Sequence, residues 1–208
     1  WSVGCILDKL KELGLDKHTL VIFTSDNGPW LPYKGQAGSA GPLKDGKNSH
    51  YEGGFRVPCI MWGNMISPGH VTQMGSTLDL LPTCCELAGV DLPSGVVYDG
   101  KSLVGVLRNS KEQSPRDEFY FYRGSLLYAV RKGKYKLHYM DKSAYGNDKI
   151  VFYDTPKLYD LSTDPEEQYD VANVHPEVVA EINRMVEKHR SSFSVAESIF
   201  DKRKDIKK

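Results

Sequence analysis

The chain has 208 residues, with 27 Lys+Arg against 27 Asp+Glu, a hydrophobic fraction of 40% and an aromatic fraction of 11%. That length holds one full-sized domain or two smaller ones, each with its own core. With no basic excess to neutralise a phosphate backbone, no nucleic-acid partner is expected, and the aromatic content argues against intrinsic disorder. No apolar stretch reaches the roughly 20 residues that span a bilayer, so no membrane span is expected and the reading is a soluble chain of mixed class.

The first residue is Trp1, and no basic stretch followed by an apolar one succeeds it, so no signal peptide is visible. The opening residues read as mid-domain sequence, and the chain is expected to be a piece of a longer one. Cys5, Cys59, Cys84 and Cys85 fit neither a disulfide framework nor zinc-ligand spacing. Cys84 and Cys85 lie in an apolar helical run and are expected to be buried thiols.

Val3, Ile6, Leu7, Leu10 and Leu13 recur at helical spacing, with Gly14 as a stop. The run Leu20-Val-Ile-Phe-Thr-Ser25 predicts a strand buried on both faces, as in a parallel sheet covered by helices. It ends at Asp26-Asn27-Gly28-Pro29, the end of a strand where open α/β sheets bind ligands. Residues 29–54 read as a long Gly- and Pro-rich functional loop, closed by a strand over 57–62. A helix is expected over about 78–88, with Pro82 near its first turn and Gly89 as its stop.

Residues 109–117 read as a linker. Beyond it, 118–122, 126–131 and 134–140 predict a meander of short strands, and 158–161 a further one. Residues 145–152 are ambiguous. A last helix begins at Pro176, with Val178, Val179, Ile182, Met185 and Val186 on one face, and the charged tail 201–208 is expected to fray.

Asp26 and Asn27 supply a carboxylate and an amide carbonyl, hard oxygen donors suited to Ca²⁺ or Mg²⁺. Two donors do not complete a shell of six or more, and the same residues also make ordinary turns. Lys47 follows Gly46 on the glycine-rich loop, where a lysine reaches an anionic oxygen as a point charge or simply stays solvated. His50 is a candidate acid or substrate contact, or a loop histidine without a role. Glu52 and Arg56 stand four apart and are expected to pair with each other.

Taken together, Leu20-Val-Ile-Phe-Thr-Ser-Asp-Asn-Gly-Pro29, Gly38-Ser-Ala-Gly-Pro-Leu-Lys-Asp-Gly-Lys47 and Tyr51-Glu-Gly-Gly-Phe-Arg-Val-Pro58 closely resemble the type I sulfatases. Within them the likeness is greatest to the arylsulfatase A and N-acetylgalactosamine-6-sulfatase group. Ser76-Thr-Leu-Asp-Leu-Leu-Pro-Thr83 with Ala88-Gly89, and Asp99-Gly100-Lys-Ser-Leu103, continue it. Leu158-Tyr-Asp-Leu161 with Asp164-Pro165 resembles the family's C-terminal subdomain.

The resemblance implies an α/β, alkaline-phosphatase-like sulfatase fold, partial here. Residues 1–110 would be the C-terminal part of the catalytic domain, and 111–208 a subdomain with a small antiparallel sheet and a terminal helix. It implies hydrolysis of sulfate esters at a Ca²⁺ site, with Asp26 and Asn27 matching the family's late pair of calcium ligands. Lys47 would bind the sulfate group, with His50 a candidate contact beside it. The superfamily's phosphatases typically carry Asp-His where this chain has Asp-Asn.

The family's formylglycine nucleophile arises from Cys or Ser in a C-x-P-S-R motif, which none of the four cysteines fits; the early aspartate ligands are likewise not found. Both precede the matched segment in the family. The expectation is therefore a sulfuric ester hydrolase represented by its C-terminal portion, acting on a sulfated small molecule or glycan. Secretory, periplasmic or lysosomal placement follows from the same resemblance. The alternatives are a phosphodiesterase or phosphonate hydrolase of the same superfamily, or a non-catalytic protein that binds sulfated glycans.

Overall fold

The computed structural model describes residues 1–146 and 148–196, so the charged tail over 201–208 lies outside the described residues. The chain divides into two compact units, Trp1–Asp26 with Val57–Asp117, and Asn27–Arg56 with the residues from Glu118 onward.

In the first unit, α1 (Ser2–Glu12) ends where the chain turns through Gly14 at φ 68°, a conformation glycine adopts without steric cost. Strand β1 (Val21–Thr24) pairs antiparallel with β2 (Cys59–Trp62), with Val21 opposite Trp62. Here the expected strand, buried on both faces of a parallel sheet, is corrected. Within the described residues its partner is antiparallel, in a sheet of two strands, and Phe23 is 50% exposed there.

A single 3₁₀ turn (Thr77–Asp79) leads into helix α3 (Leu80–Ala88), which Gly89 closes at φ 67°. Cys84 is exposed and Cys85 half-buried, so the expected burial of this pair does not hold: the buried stripe of α3 is carried by Pro82 and Thr83 instead.

The same region explains two of the quoted motifs. Asp79 is fully buried, and its carboxylate accepts from the Arg116 guanidinium (2.5–3.1 Å), the Lys101 amide (2.8 Å) and the Ser76 amide (2.8 Å). The Thr83 hydroxyl donates to the Asp79 carbonyl (2.6 Å) and accepts from the Leu103 amide (2.9 Å). A Cβ on Gly100 would meet the Leu78 carbonyl oxygen at 2.0 Å, so only glycine permits this approach. These residues close α3 against the segment that leads into α4 (Val104–Arg108). A buried carboxylate is tolerable because its charge and lone pairs are met.

In the second unit, β3 (Glu118–Arg123), β4 (Leu126–Lys132), β5 (Tyr135–Asp141) and β6 (Val151–Asp160) form an antiparallel meander in that order. Gly124 and Gly133, at φ 59° and 55°, make the first two turns. The segment left ambiguous over 145–152 ends inside β6, which absorbs the strand expected at 158–161 and extends it to ten residues.

Helix α5 (Pro176–Ser191) starts with proline in its first turn, where no amide partner is needed. Its buried Ile182 and Val186 join Leu127, Val130, Leu137, Leu158 and Ala172 in one core. The His189 ring stacks on Tyr120 at 3.7 Å, and its Nε2 lies 2.9 Å from the Tyr122 hydroxyl. Helix α2 (Glu52–Phe55) is a single turn in the segment that follows β1 and precedes β2 in sequence, and belongs to this second unit.

Candidate functional site

Residues 27–56 are not a structureless loop. A 3₁₀ segment (Leu31–Gln36) and α2 bracket a chain of turns in which Ser49, His50, Tyr51, Glu52, Gly53 and Gly54 are all buried. Glycine makes this packing possible. The Gly28 amide donates to the Gly54 carbonyl (3.0 Å), and a Cβ on Gly28 would lie 1.8 Å from the Gly53 carbonyl oxygen. A Cβ on Gly53 would meet the carbonyl oxygens of Lys44 and Asp45, each at 2.3 Å. Backbone therefore lies on backbone at both points, and any side chain would force them apart.

This clasp fixes Lys47. Its amide donates to the Pro29 carbonyl (2.9 Å), which sits two residues beyond Asn27. Lys47 is flanked by Asp45 and Asn48 at φ 63° and 74°. Asp and Asn are the residues that tolerate this left-handed region, and strained backbone of this kind gathers at functional sites. The Asp45 Oδ1 accepts from the Gly46 amide (2.9 Å), and burial pushes the Asp45 carboxyl up from its ordinary value. The Lys47 ammonium lies 5.6 Å from the Trp30 ring centroid, and its side chain is half-buried.

Asp26 is exposed at the end of the first unit, one bond from half-buried Asn27, and the Ser25 hydroxyl reaches its carboxylate at 3.4 Å. The donor chemistry of Asp26 and Asn27 fits a hard divalent cation, though as two oxygens of a larger shell. Among the described residues no group of three His, Cys, Asp or Glu side chains gathers to hold a metal.

His50 is buried to 1%, its ring packed among Tyr51, Tyr128 and His138 at 4.4–5.0 Å. Among the described residues neither ring nitrogen has a hydrogen-bond partner, and Asp141 lies 3.7 Å from Nε2, beyond hydrogen-bond reach. Burial above all, then the charges of neighbouring groups, lowers its pKa to about 2, so the ring is neutral. Within this unit it packs as an aromatic group and turns no atom to solvent.

The expected Glu52–Arg56 pair does not form. α2 is only four residues long, and Arg56 leaves it in extended conformation. Glu52 faces inward and meets Lys136 Nζ (3.1 Å) and Arg131 (2.9 Å). Lys136 also meets Glu167 Oε1 (3.1 Å), which accepts from His138 Nε2 (2.8 Å). The Glu52 amide donates to Glu167 Oε2 (2.7 Å). Burial first, then the Lys136 charge, holds His138 well below its ordinary pKa, so the ring is neutral and its Nε2–H donates a hydrogen bond to the carboxylate. Sequence reading missed this cluster: Glu52 lies 84 and 115 residues from its partners, and neither distance leaves a periodic signal.

Two family models match the chain: one described as sulfatase over residues 1–90, the other as the C-terminal region of aryl-sulfatase over residues 114–208. Arylsulfatase A of Homo sapiens is 38% identical over 88% of this chain and 40% of its own length. N-acetylgalactosamine-6-sulfatase of Mus musculus is 42% identical over 66% of this chain and 26% of its own length. Among solved structures, the PsFucS1 sulfatase from Pseudoalteromonas sp. superposes with a TM-score of 0.80 at 28% identity, over 90% of this chain and 40% of that one. The chain thus spans about 40% or less of the length of these relatives.

Proposed function

The chain belongs to the sulfatase family, and from that premise we propose that its 208 residues form one wall of the active site of an arylsulfatase-type sulfuric ester hydrolase. The observation that carries the proposal is the clasp around Lys47. With its amide tied to the Pro29 carbonyl and with Asp45 and Asn48 nearby at positive φ, Lys47 stands on a loop of fixed backbone, which suits a cation that must meet an anionic oxygen.

In this reading the Lys47 ammonium faces a sulfuryl oxygen and stabilises the negative charge that grows there in the transition state. Because the lysine is held before substrate arrives, that stabilisation requires little reorganisation during the reaction. Asp26 and Asn27 would hold Ca²⁺ through two of its oxygen positions; the ion, when bound, supplies Lewis-acid polarisation of the same sulfuryl group. The family's formylglycine nucleophile is expected outside these residues, which contain no C-x-P-S-R sequence. His50 has no part in this reading, given its enclosed ring.

The substrate class that follows is a sulfated small molecule or glycan, consistent with a relative whose name specifies an N-acetylgalactosamine 6-sulfate. Residues 1–110 then serve as part of the catalytic domain and 111–208 as its C-terminal subdomain. Among the described residues no helix is long and apolar enough to cross a membrane, and a secreted, periplasmic or lysosomal location is proposed from the family alone.

The test is turnover of a chromogenic aryl sulfate and the matching aryl phosphate, side by side, by the full-length protein before and after calcium chelation. Calcium-dependent preference for the sulfate is expected. Preference for the phosphate would move the protein to the phosphodiesterase branch, and no turnover of either would leave the glycan-binding reading.

A further inference from the structure

The loop that carries Lys47 is held at both ends by the same buried group. At its start, the Lys44 ammonium reaches the Glu167 carbonyl (3.4 Å) and lies 4.0 Å from the Tyr51 ring centroid. At its far end, the Glu52 amide donates to the Glu167 carboxylate (2.7 Å), and the Glu52 carboxylate takes Lys136 and Arg131 from β5 and β4. Between these ends the loop closes on itself through Gly53 amide to Lys44 carbonyl (2.9 Å) and Ser49 amide to Gly46 carbonyl (3.0 Å).

Glu167 and Lys136 are both fully buried. Glu167 holds φ at 53°, a conformation costly for a residue with a Cβ, on a turn whose Gln168 and Tyr169 amides are capped by Asp164 Oδ2 at 2.8 Å. Two carboxylates and two cations balance in charge while His138 stays neutral, which makes burial of the carboxylates tolerable. One geometric consequence is that the segment over 44–52 is tied to the meander, and Lys47 lies on that segment.

We infer that Glu167 and Lys136 are positioning residues for Lys47, coupling the C-terminal sheet to the sulfate-binding cation; this rests on the role proposed for Lys47 above. A lysine whose loop drifts by an ångström still carries its charge, but no longer where charge develops, so the loss falls on kcat rather than KM.

The experiment is a double-mutant cycle on the full-length enzyme with an aryl sulfate, pairing Glu167→Gln with Lys47→Ala. Glu167→Gln is expected to lower kcat about tenfold or more while KM changes by less than about threefold. In the Lys47→Ala background the same change is expected to cost less than about twofold, because the group it positions is gone. Additive losses would overturn the inference. Hydrogen exchange gives a readout independent of activity: amides over 44–54 should exchange about tenfold faster in Glu167→Gln, while those over 80–88 stay unchanged. Unchanged exchange over 44–54 would also overturn it.

Should Glu167→Gln fail to fold, Arg131→Met carries the same cycle, since Arg131 is the partly exposed member and its loss leaves Lys136 with both carboxylates. An enzyme indifferent to Lys47→Ala would sink the catalytic reading and the inference together, whereas failure of the inference alone leaves Lys47→Ala impaired and the cycle additive.

Discussion

Two buried histidines contribute to the pH response of the second unit. His50 and His138 are neutral when folded, with pKa values lowered to about 2 and well below 6.5 respectively, chiefly by desolvation. In the unfolded chain both take a proton near pH 6.5. The unfolded state therefore binds more protons below that pH, and the stability from keeping the rings neutral is present above pH 6.5 and lost as pH falls. Each ring contributes a slope of at most about 1.4 kcal/mol per pH unit. Denaturant unfolding from pH 7 down to pH 4.5 should show stability falling with pH, and His50→Leu should make that fall shallower by up to one ring's share. A pH-independent difference between the two proteins would contradict the assignment.

At the scale of elements, the decisive feature is the close approach of residues 28–29 to residues 44–54, made by a chain of turns and the single-turn α2. With the Gly53 carbonyl oxygen 1.8 Å from where a Cβ would stand, Gly28→Ala must push the turn after Asn27 away from the Lys47 loop. Overpacking of this kind costs about 1–3 kcal/mol. The expected outcome is a lower Tm together with a loss of aryl sulfate turnover in the full-length enzyme. Gly35→Ala, where a Cβ meets nothing within 4 Å, is the control and should change neither. Equal effects at the two glycines would remove the clasp from the account.

Much of this element scale was legible in the sequence. The α5 stripe gave the buried Ile182 and Val186, the Gly-punctuated strands gave the meander, and Gly14 and Gly89 marked their helix ends. These are local signals, set by periodicity and by positive φ. The continuous apolar run at 20–25 marked the strand but not its partner, because hydrophobicity does not set pairing direction: β1 pairs antiparallel with β2. The i,i+4 spacing of Glu52 and Arg56 misled for a related reason: pairing at that spacing needs a helix, and α2 stops after one turn.

At the scale of the whole molecule, the site candidates divide by how they are encoded. Asp26, Asn27 and Lys47 stand in contiguous motifs, so their chemistry and their family likeness were readable together. The Glu52–Lys136–Glu167 group is assembled only by folding, from segments that share no spacing, and so left no trace in the sequence. The chain nonetheless uses both: motif residues would face the substrate, and the buried group holds the loop that carries one of them.

The most direct test of this account is Lys47→Ala in the full-length enzyme, read as kcat/KM for an aryl sulfate alongside Tm. The account predicts a fall of about 10²–10³-fold, the size typical of losing one charge-stabilising donor, with Tm unchanged because a half-exposed side chain contributes little to packing. An unchanged kcat/KM in a folded protein would contradict it, leaving Lys47 a surface lysine on a well-ordered loop.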